Sequence, residues 1–468
     1  MQPLELEDIQ RIVLDGHKSR PQSVYALLRI RDAGAARNWL GRQLQQVGRA
    51  HAAERAADRA PDQELARRRR LALAFTHDGL AVLGLPADAL ATFVPEFREG
   101  MSAPRRSRVL GDVGRNAPEY WLWGSAANAV HVLYAAFARS EQELAWPALQ
   151  AELGAPESGL ELVDAISAKL EQNEPFGFRD GISQPFIEGS GTSAEQRVES
   201  WGNRVKPGEF VLGYPNELAK LPASPFVSPD ADPLRLLPAA APWPRKDLGK
   251  NGSFLVVREL AQDLEAFARL DPGVQARMVG RWQSGAPLVL APERDDAALA
   301  TANDFTYYPE DRHGMRCPLG AHVRRSNPRD GKADPALLIS TKDAIDSSNH
   351  HRVLRRGRFF ERPAQRDRAA SRGIFFLCFN ANLERQFEFV QQTWLQNPKF
   401  AGLQNERDPM VAGIHGGADH FSIPGSSVPA RQQRLESYVT VQGGAYFFLP
   451  GLRALHYLAQ LGGAQVKR

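Results

Sequence analysis

A strand–helix pair that recurs in both halves of the chain restricts its fold more than any other feature. Ser23-Val24-Tyr25-Ala26-Leu27-Leu28-Arg29 and Ser253-Phe254-Leu255-Val256-Val257-Arg258 are short runs of β-branched, aromatic and aliphatic residues. Each leads into a stretch with helical spacing. A second pair follows in each half, roughly 110–120 residues later. Val130 to Tyr134 precedes Glu141-Gln142-Glu143-Leu144-Ala145-Trp146, and Ile374 to Cys378 precedes Leu383 to Val390. This order predicts a duplicated α+β unit, with helices packed on one face of a mostly antiparallel sheet. A length of 468 residues admits two large domains. The Gly/Ser-rich Gly189-Ser190-Gly191-Thr192-Ser193 is the natural joint, so the expected domains are 1–193 and 194–468. Prolines crowd the stretch from Leu221 to Pro244, which reads as a long surface loop.

Composition narrows the class. With 43% hydrophobic and 24% charged residues the chain can build sizeable cores, which excludes wholesale disorder. No run approaches the ~18 apolar residues of a membrane span, so no membrane partner is expected. The start, Met1 to Asp8, is acidic and has neither a basic nor an apolar leader region. Two cysteines, Cys317 and Cys378, cannot make a disulfide scaffold or a four-thiolate zinc site. A cytoplasmic protein is the expectation. The net charge of +4 conceals an arginine-rich balance, since only ten of the 58 basic residues are Lys. Arginines cluster at Arg67 to Arg70, at Arg324 and Arg325, and at Arg352, Arg355, Arg356 and Arg358. Neither zinc-finger spacing nor a Walker loop accompanies them, so no nucleic-acid partner is expected. Arg67 to Arg70 read as the solvated end of a helix.

Three segments carry chemistry. In Phe176-Gly177-Phe178-Arg179-Asp180-Gly181-Ile182-Ser183-Gln184-Pro185, glycines bracket one carboxylate and permit close backbone approach to a flat or bulky ligand. Taken alone this is equally a turn with an Asx cap. In Cys317-Pro318-Leu319-Gly320-Ala321-His322-Val323-Arg324-Arg325-Ser326-Asn327-Pro328-Arg329, His322 has an apolar flank and a basic tail. A lone His is commonly structural, and a metal cluster needs further ligands nearby. A haem needs only one protein ligand from below and cations for its propionates, which His322 and Arg329 supply. The third segment is Val353-Leu354-Arg355-Arg356-Gly357, followed by the strand from Ile374. By itself it is a surface loop or an anion site.

Together these segments resemble one family, the dye-decolorizing peroxidases. The resemblance lies in Gly177-Phe178-Arg179-Asp180-Gly181, in Ala321-His322-Val323-Arg324 with Asn327-Pro328-Arg329, and in Leu354-Arg355-Arg356-Gly357, in that order. Leu6-Glu7-Asp8-Ile9-Gln10 and Phe375-Phe376-Leu377-Cys378-Phe379 also look like the longer bacterial and fungal members. The resemblance implies two ferredoxin-like α+β domains with antiparallel sheets and one b-type haem per chain, held between distal and proximal sides. It makes His322 the proximal iron ligand, Asp180 the distal acid–base residue and Arg355, rather than Arg356, its distal partner. Arg329 pairs with a propionate, Gly181 lets the backbone approach the cofactor, and Ile374 and Phe376 wall the distal pocket. Asp408, in Glu406-Arg407-Asp408-Pro409, is the carboxylate expected on the proximal His. Gly357 stands where some members carry Asn, so a distal amide contact is lost or comes from elsewhere.

The activity so implied is reduction of hydrogen peroxide and oxidation of dyes, phenols or other one-electron donors through a ferryl haem. With a carboxylate as acid–base group, turnover is expected to peak in the acidic range. The alternative is a haem-binding or haem-iron handling protein with little turnover, which needs neither Asp180 nor Arg355. A chlorite-dismuting haem enzyme lacks the distal Asp, and a nucleic-acid binder needs no haem. A homo-oligomer is compatible with the sequence. Bulky dyes are expected to give electrons at the surface, with Trp394 as first exit residue and Tyr307 and Tyr308 next.

Overall fold

Eight strands, four from each half, frame the molecule in a computed structural model that describes residues 3–50, 69–191, 203–240, 244–364, 369–412, 420–425, 430–433 and 435–462. The first half supplies β1 (Gln22–Ile30), β2 (Arg70–Phe75), β3 (Val132–Ala138) and β4 (Leu160–Lys169). The second supplies β5 (Ser253–Gln262), β6 (Arg358–Arg362), β7 (Ser371–Asn380) and β8 (Val439–Leu449). All pair antiparallel, in the order β4-β1-β3-β2 in the first half and β8-β5-β7-β6 in the second. In both, the last strand of the half flanks the first, and the third lies between first and second. The repeat seen in the sequence is therefore a repeat of topology, the ferredoxin-like α+β arrangement.

The two sheets meet at both edges. β2 touches β8 through Phe75 and Phe448, and β4 touches β6 through Lys169 with Phe359 and Ala168 with Phe360. Side chains of an extended strand alternate between faces, and here both faces are covered. Tyr25, Leu27, Leu133, Ala135 and Phe137 join Leu255, Val257, Phe375, Leu377 and Phe447 in one core shared by the two halves. The Tyr25 and Phe375 rings lie 4.5 Å apart across it. The alternate residues, among them Val24, Leu28, Tyr134, Val256 and Phe448, pack in a second core that also takes Trp39, Leu40 and Leu455 from helices. Such two-sided burial explains why the strands read as continuous apolar runs.

Several expectations need correction. The second strand begins at Val132, not Val130, and four further strands accompany those expected. Arg70 is not on a solvated helix end but opens β2 and is buried, with its alternate neighbours Leu71 and Leu73 in the core. Arg67 and Arg68 lie outside the described residues, as does the boundary expected between 193 and 194. The proline-rich stretch is loop around a small sheet of Phe226–Val227, Ala239–Ala240 and Arg245–Asp247. No helix among the described residues is long and apolar enough to cross a membrane.

Candidate active site

One large cavity opens beside the second-half sheet, with about 2060 Å³ of atom-free space including its mouth. Asp180, Gly181, His322, Arg329, Arg355, Ile374 and Phe376 all line it. Asp408, the eighth predicted site residue, stands behind His322 rather than on the wall.

The loop carrying Asp180 is shaped by a residue the sequence did not flag. Glu174 accepts the backbone N–H of Phe178 (3.0 Å) on one oxygen, and on the other the backbone N–H of Phe176 (3.1 Å) and the side-chain Nε2 of Gln262 (2.8 Å). Burial raises the Glu174 pKa, against these hydrogen bonds. Gly177 (φ 95°) and Gly181 (φ 78°) occupy the left-handed region on either side, where a side chain would be strained. The turn leaves Asp180 exposed, its own N–H donating to the Gln172 carbonyl at 3.0 Å.

Arg355 reaches the same cavity from a two-residue strand, Leu354–Arg355, paired with Phe379 and Cys378 of β7. Its backbone N–H is fixed by the Gln184 side-chain oxygen at 3.0 Å, which ties it to the Asp180 loop. Arg356 points elsewhere. Its guanidinium donates to the carbonyls of Ile12 (3.3 Å), Val13 (3.0 Å) and Leu14 (2.8 Å). Ile374 and Phe376, on β7 opposite Leu260 and Arg258 of β5, give the apolar wall between.

On another wall His322 begins a short helix, His322–Ser326. Its Nδ1 lies 2.9 Å from Oδ2 of the fully buried Asp408. The other Asp408 oxygen accepts the N–H groups of Met410 (3.0 Å) and Val411 (2.9 Å). Burial pushes the Asp408 pKa up, but the His322 charge and these hydrogen bonds outweigh it and hold the carboxyl below its ordinary value. With Nδ1 engaged, Nε2 is the ring nitrogen left for the cavity. Arg325 braces the region by donating to the carbonyls of Gly320, Trp394, Asn397 and Glu406.

A third side is cationic. Arg329 donates to the carbonyls of Asn303 (2.9 Å) and Phe305 (3.0 Å), and to the Asn303 side chain at 2.6 Å. Arg281, 5% exposed, donates to the carbonyls of Gly285 and Ala302 and to the same Asn303 oxygen. Burial first, then the charge of Arg329, lowers the Arg281 pKa to about 10. Arg352 is buried beside Arg329 and Arg355 and is lowered to about 9 for the same reasons. Neither Arg281 nor Arg329 forms an ion pair with a carboxylate of the described residues. Asp330 and Asp304 act on Arg329 only from a distance, and desolvated cations without a directly bonded carboxylate are costly, so this wall favours an anion.

The comparisons with known proteins agree with this geometry. The model of the Dyp-type peroxidase C-terminal region matches residues 240–406. The multifunctional dye peroxidase DyP2 of an Amycolatopsis species is 29% identical over 421 residues, covering 83% of this chain and 82% of that protein. The dye-decolorizing peroxidase of Exidia glandulosa is 28% identical, over 82% and 74% of the respective chains. The solved structure of an ancestral D-type dye decolorizing peroxidase superposes with a TM-score of 0.73 at 26% identity, covering 97% and 99%. The second half of the chain thus carries the Dyp-type peroxidase C-terminal region, and the chain as a whole is similar to dye-decolorizing peroxidases.

Members of this family are haem peroxidases, and the residues present fit that group. The cavity offers one imidazole nitrogen with a carboxylate behind it, apolar walls for a flat ring, and cations in need of anionic partners. The distinctive additions are Arg281, Arg352 and Glu174, which sequence reasoning missed. Nothing in Val279-Gly280-Arg281-Trp282 marks Arg281 as different from other arginines, because its role arises from burial next to Arg329. The exit residues need correction too. Trp394 is 2% exposed and packs against Phe389, Val390, Leu395 and Phe400, because its helix lies against the body of the protein. Tyr307 is equally buried and lines the cavity, while Tyr308 is half-buried.

Proposed function

We propose that this protein is a peroxidase that holds one b-type haem per chain, reduces hydrogen peroxide and oxidises dyes, phenols or similar one-electron donors. The carrying observation is the convergence of Asp180 and Arg355 with the His322–Asp408 pair on a single cavity. His322 would hold the iron through Nε2, and Arg329 with Arg281 would hold the propionates. The two cysteines lie 61 positions apart, without the Cys-x-x-Cys-His spacing of covalent attachment, so the haem is held non-covalently. Both are buried and form no disulfide, which suits a cytoplasmic setting.

When bound, the haem supplies the redox chemistry, accepting two oxidising equivalents from peroxide and passing them on singly. The chain's own residues handle protons and charge. Asp180 takes the proton from the near peroxide oxygen and returns it to the departing one, which leaves as water. Arg355, permanently charged, stabilises negative charge that builds on the O–O bond as it breaks. Asp408 holds the proton on Nδ1 of His322, keeping the Nε2 lone pair directed at the metal and raising its basicity. Ile374 and Phe376 keep bulky donors away from the peroxide.

A haem-iron handling role has less support. Deferrochelatases of Yersinia species are 28% identical but match only 45% of this chain, and iron handling has no use for Asp180 and Arg355 together. The deciding experiment mixes haem-loaded protein with peroxide in a stopped-flow spectrometer, wild type beside Asp180→Asn. A rapid Soret change in the wild type, slowed by about 10²–10⁴-fold in the variant, is expected. Equal rates would remove Asp180 from the mechanism, and an inert wild type would refute the peroxidase reading.

A further inference from the structure

Behind the cavity lies a buried tyrosine whose proton already has a destination. The Tyr446 hydroxyl donates to Glu388 Oε1 at 2.8 Å, and Tyr446 is 2% exposed. Of the nine tyrosines it is the one whose hydroxyl bonds a carboxylate among the described residues. Its ring centroid is 6.4 Å from that of Phe387, and Phe387 lines the cavity. One aromatic ring therefore separates Tyr446 from the cofactor space.

The charges around Glu388 favour its taking a proton. One guanidinium, that of Arg106, bonds three carboxylates: Glu388 (2.7 Å), Glu99 (2.8 Å) and Glu96 (3.4 Å). Two of these, Glu388 and Glu96, are buried. Glu99 has a second cation in Arg105 at 3.7 Å, but the buried Glu388 and Glu96 share Arg106, and protonation of Glu388 relieves their repulsion. Burial first, with the Glu96 charge adding to it, raises the Glu388 pKa in spite of Arg106.

Resting on the peroxidase reading, we propose that Tyr446 is an internal one-electron donor to the peroxide-oxidised haem, with Glu388 as its proton acceptor. One electron leaves the phenol by way of Phe387 and reduces the haem by one equivalent. The phenolic proton moves from Oη to Glu388 Oε1. The O–H bond breaks, a neutral tyrosyl radical remains, and Glu388 becomes a neutral acid. An external donor later returns the electron, and Glu388 returns the proton. Two other oxidisable aromatic residues, Tyr307 on the cavity wall and Trp394 behind it, are less suited. Tyr307 carries Arg324 over its ring at 4.2 Å, with Arg281 and Arg329 close enough to act on its charge. That surrounding opposes a cation on the ring and, unlike Tyr446, which Arg258 also faces, Tyr307 has no carboxylate among the described residues to take its proton. Trp394 has the Lys332 ammonium over its ring at 5.0 Å, with the same consequence.

The test is freeze-quench electron paramagnetic resonance on haem-loaded protein given one equivalent of peroxide and no donor, with the Soret band followed in parallel. A tyrosyl signal is expected in the wild type, lost in Tyr446→Phe and strongly reduced in Glu388→Gln. Placing 3-fluorotyrosine at position 446 must add a fluorine splitting, which holds even if the Phe variant folds poorly. A Soret change with a radical unaltered by these substitutions, or with none at all, overturns the assignment of Tyr446 alone. An unreactive Soret band overturns the peroxidase reading, and this inference with it.

Discussion

Replacing Asp408 by Asn should cost haem affinity through a tautomer rather than through a lost contact. Asp408 Oδ1 accepts from two backbone N–H groups, Met410 and Val411, so an amide at this position is pinned with its oxygen on that side. Flipping it would sacrifice both bonds, about 0.5–1.5 kcal/mol each. The amide NH₂ then takes the place of Oδ2, 2.9 Å from His322 Nδ1. A donor now faces a donor. The imidazole resolves the conflict by moving its proton to Nε2, the nitrogen needed for iron. Losing such a carboxylate behind a ligating His typically weakens metal binding 10–100-fold, or roughly 1.4–2.7 kcal/mol. Hemin titration of the haem-free protein, read at the Soret band, measures the ratio of Kd values directly. A Kd equal to wild type would mean that Asp408 does not set the tautomer or that another group binds iron. The same variant has a pH signature. Because the folded pKa of Asp408 lies below the ordinary 3.8, its stabilisation is complete above that value and lost as the pH falls through the folded one. The haem-free Asn variant should therefore lose stability less steeply in acid.

The arginine pair and the misplaced tryptophan provide further tests. Arg355→Leu should keep a near wild-type melting curve while slowing the peroxide reaction. Arg356→Leu strips a charged donor from the buried carbonyls of Ile12, Val13 and Leu14 and should lower stability by about 2–4 kcal/mol in urea unfolding. The reverse pattern would exchange the two roles. Trp394→Phe should lower stability by about 1–2 kcal/mol as a core substitution, with dye and phenol turnover affected alike. A selective loss of dye turnover at unchanged stability would restore Trp394 as an electron exit.

What this sequence determined by itself was whatever depends on neighbours along the chain. The apolar runs of β1, β5 and β7 declare themselves because strand burial on both faces leaves no alternation to disguise them. Four strands were not foreseen: β4, with its half-buried Glu161, Val163 and Asp164, and the short β6 carry weaker patterns, while β2 and β8 are largely buried and went unread all the same. Asp180, His322 and Arg355 were legible only as a set, because their three motifs together resemble one family, whereas singly they read as a turn, a structural His and a surface loop. The tertiary structure alone decided what depends on distant segments meeting. Successive residues of an extended segment face opposite ways, so one of Arg355 and Arg356 had to point inward, but only the assembled sheet settles which. Asp408 comes from 86 positions beyond His322 to hold it, and Arg281 joins Arg329 across a loop. Trp394 is buried because other parts of the chain cover it, which its own helix could not reveal. Burial and charge are sums over everything nearby, and the chain order does not record what will be near.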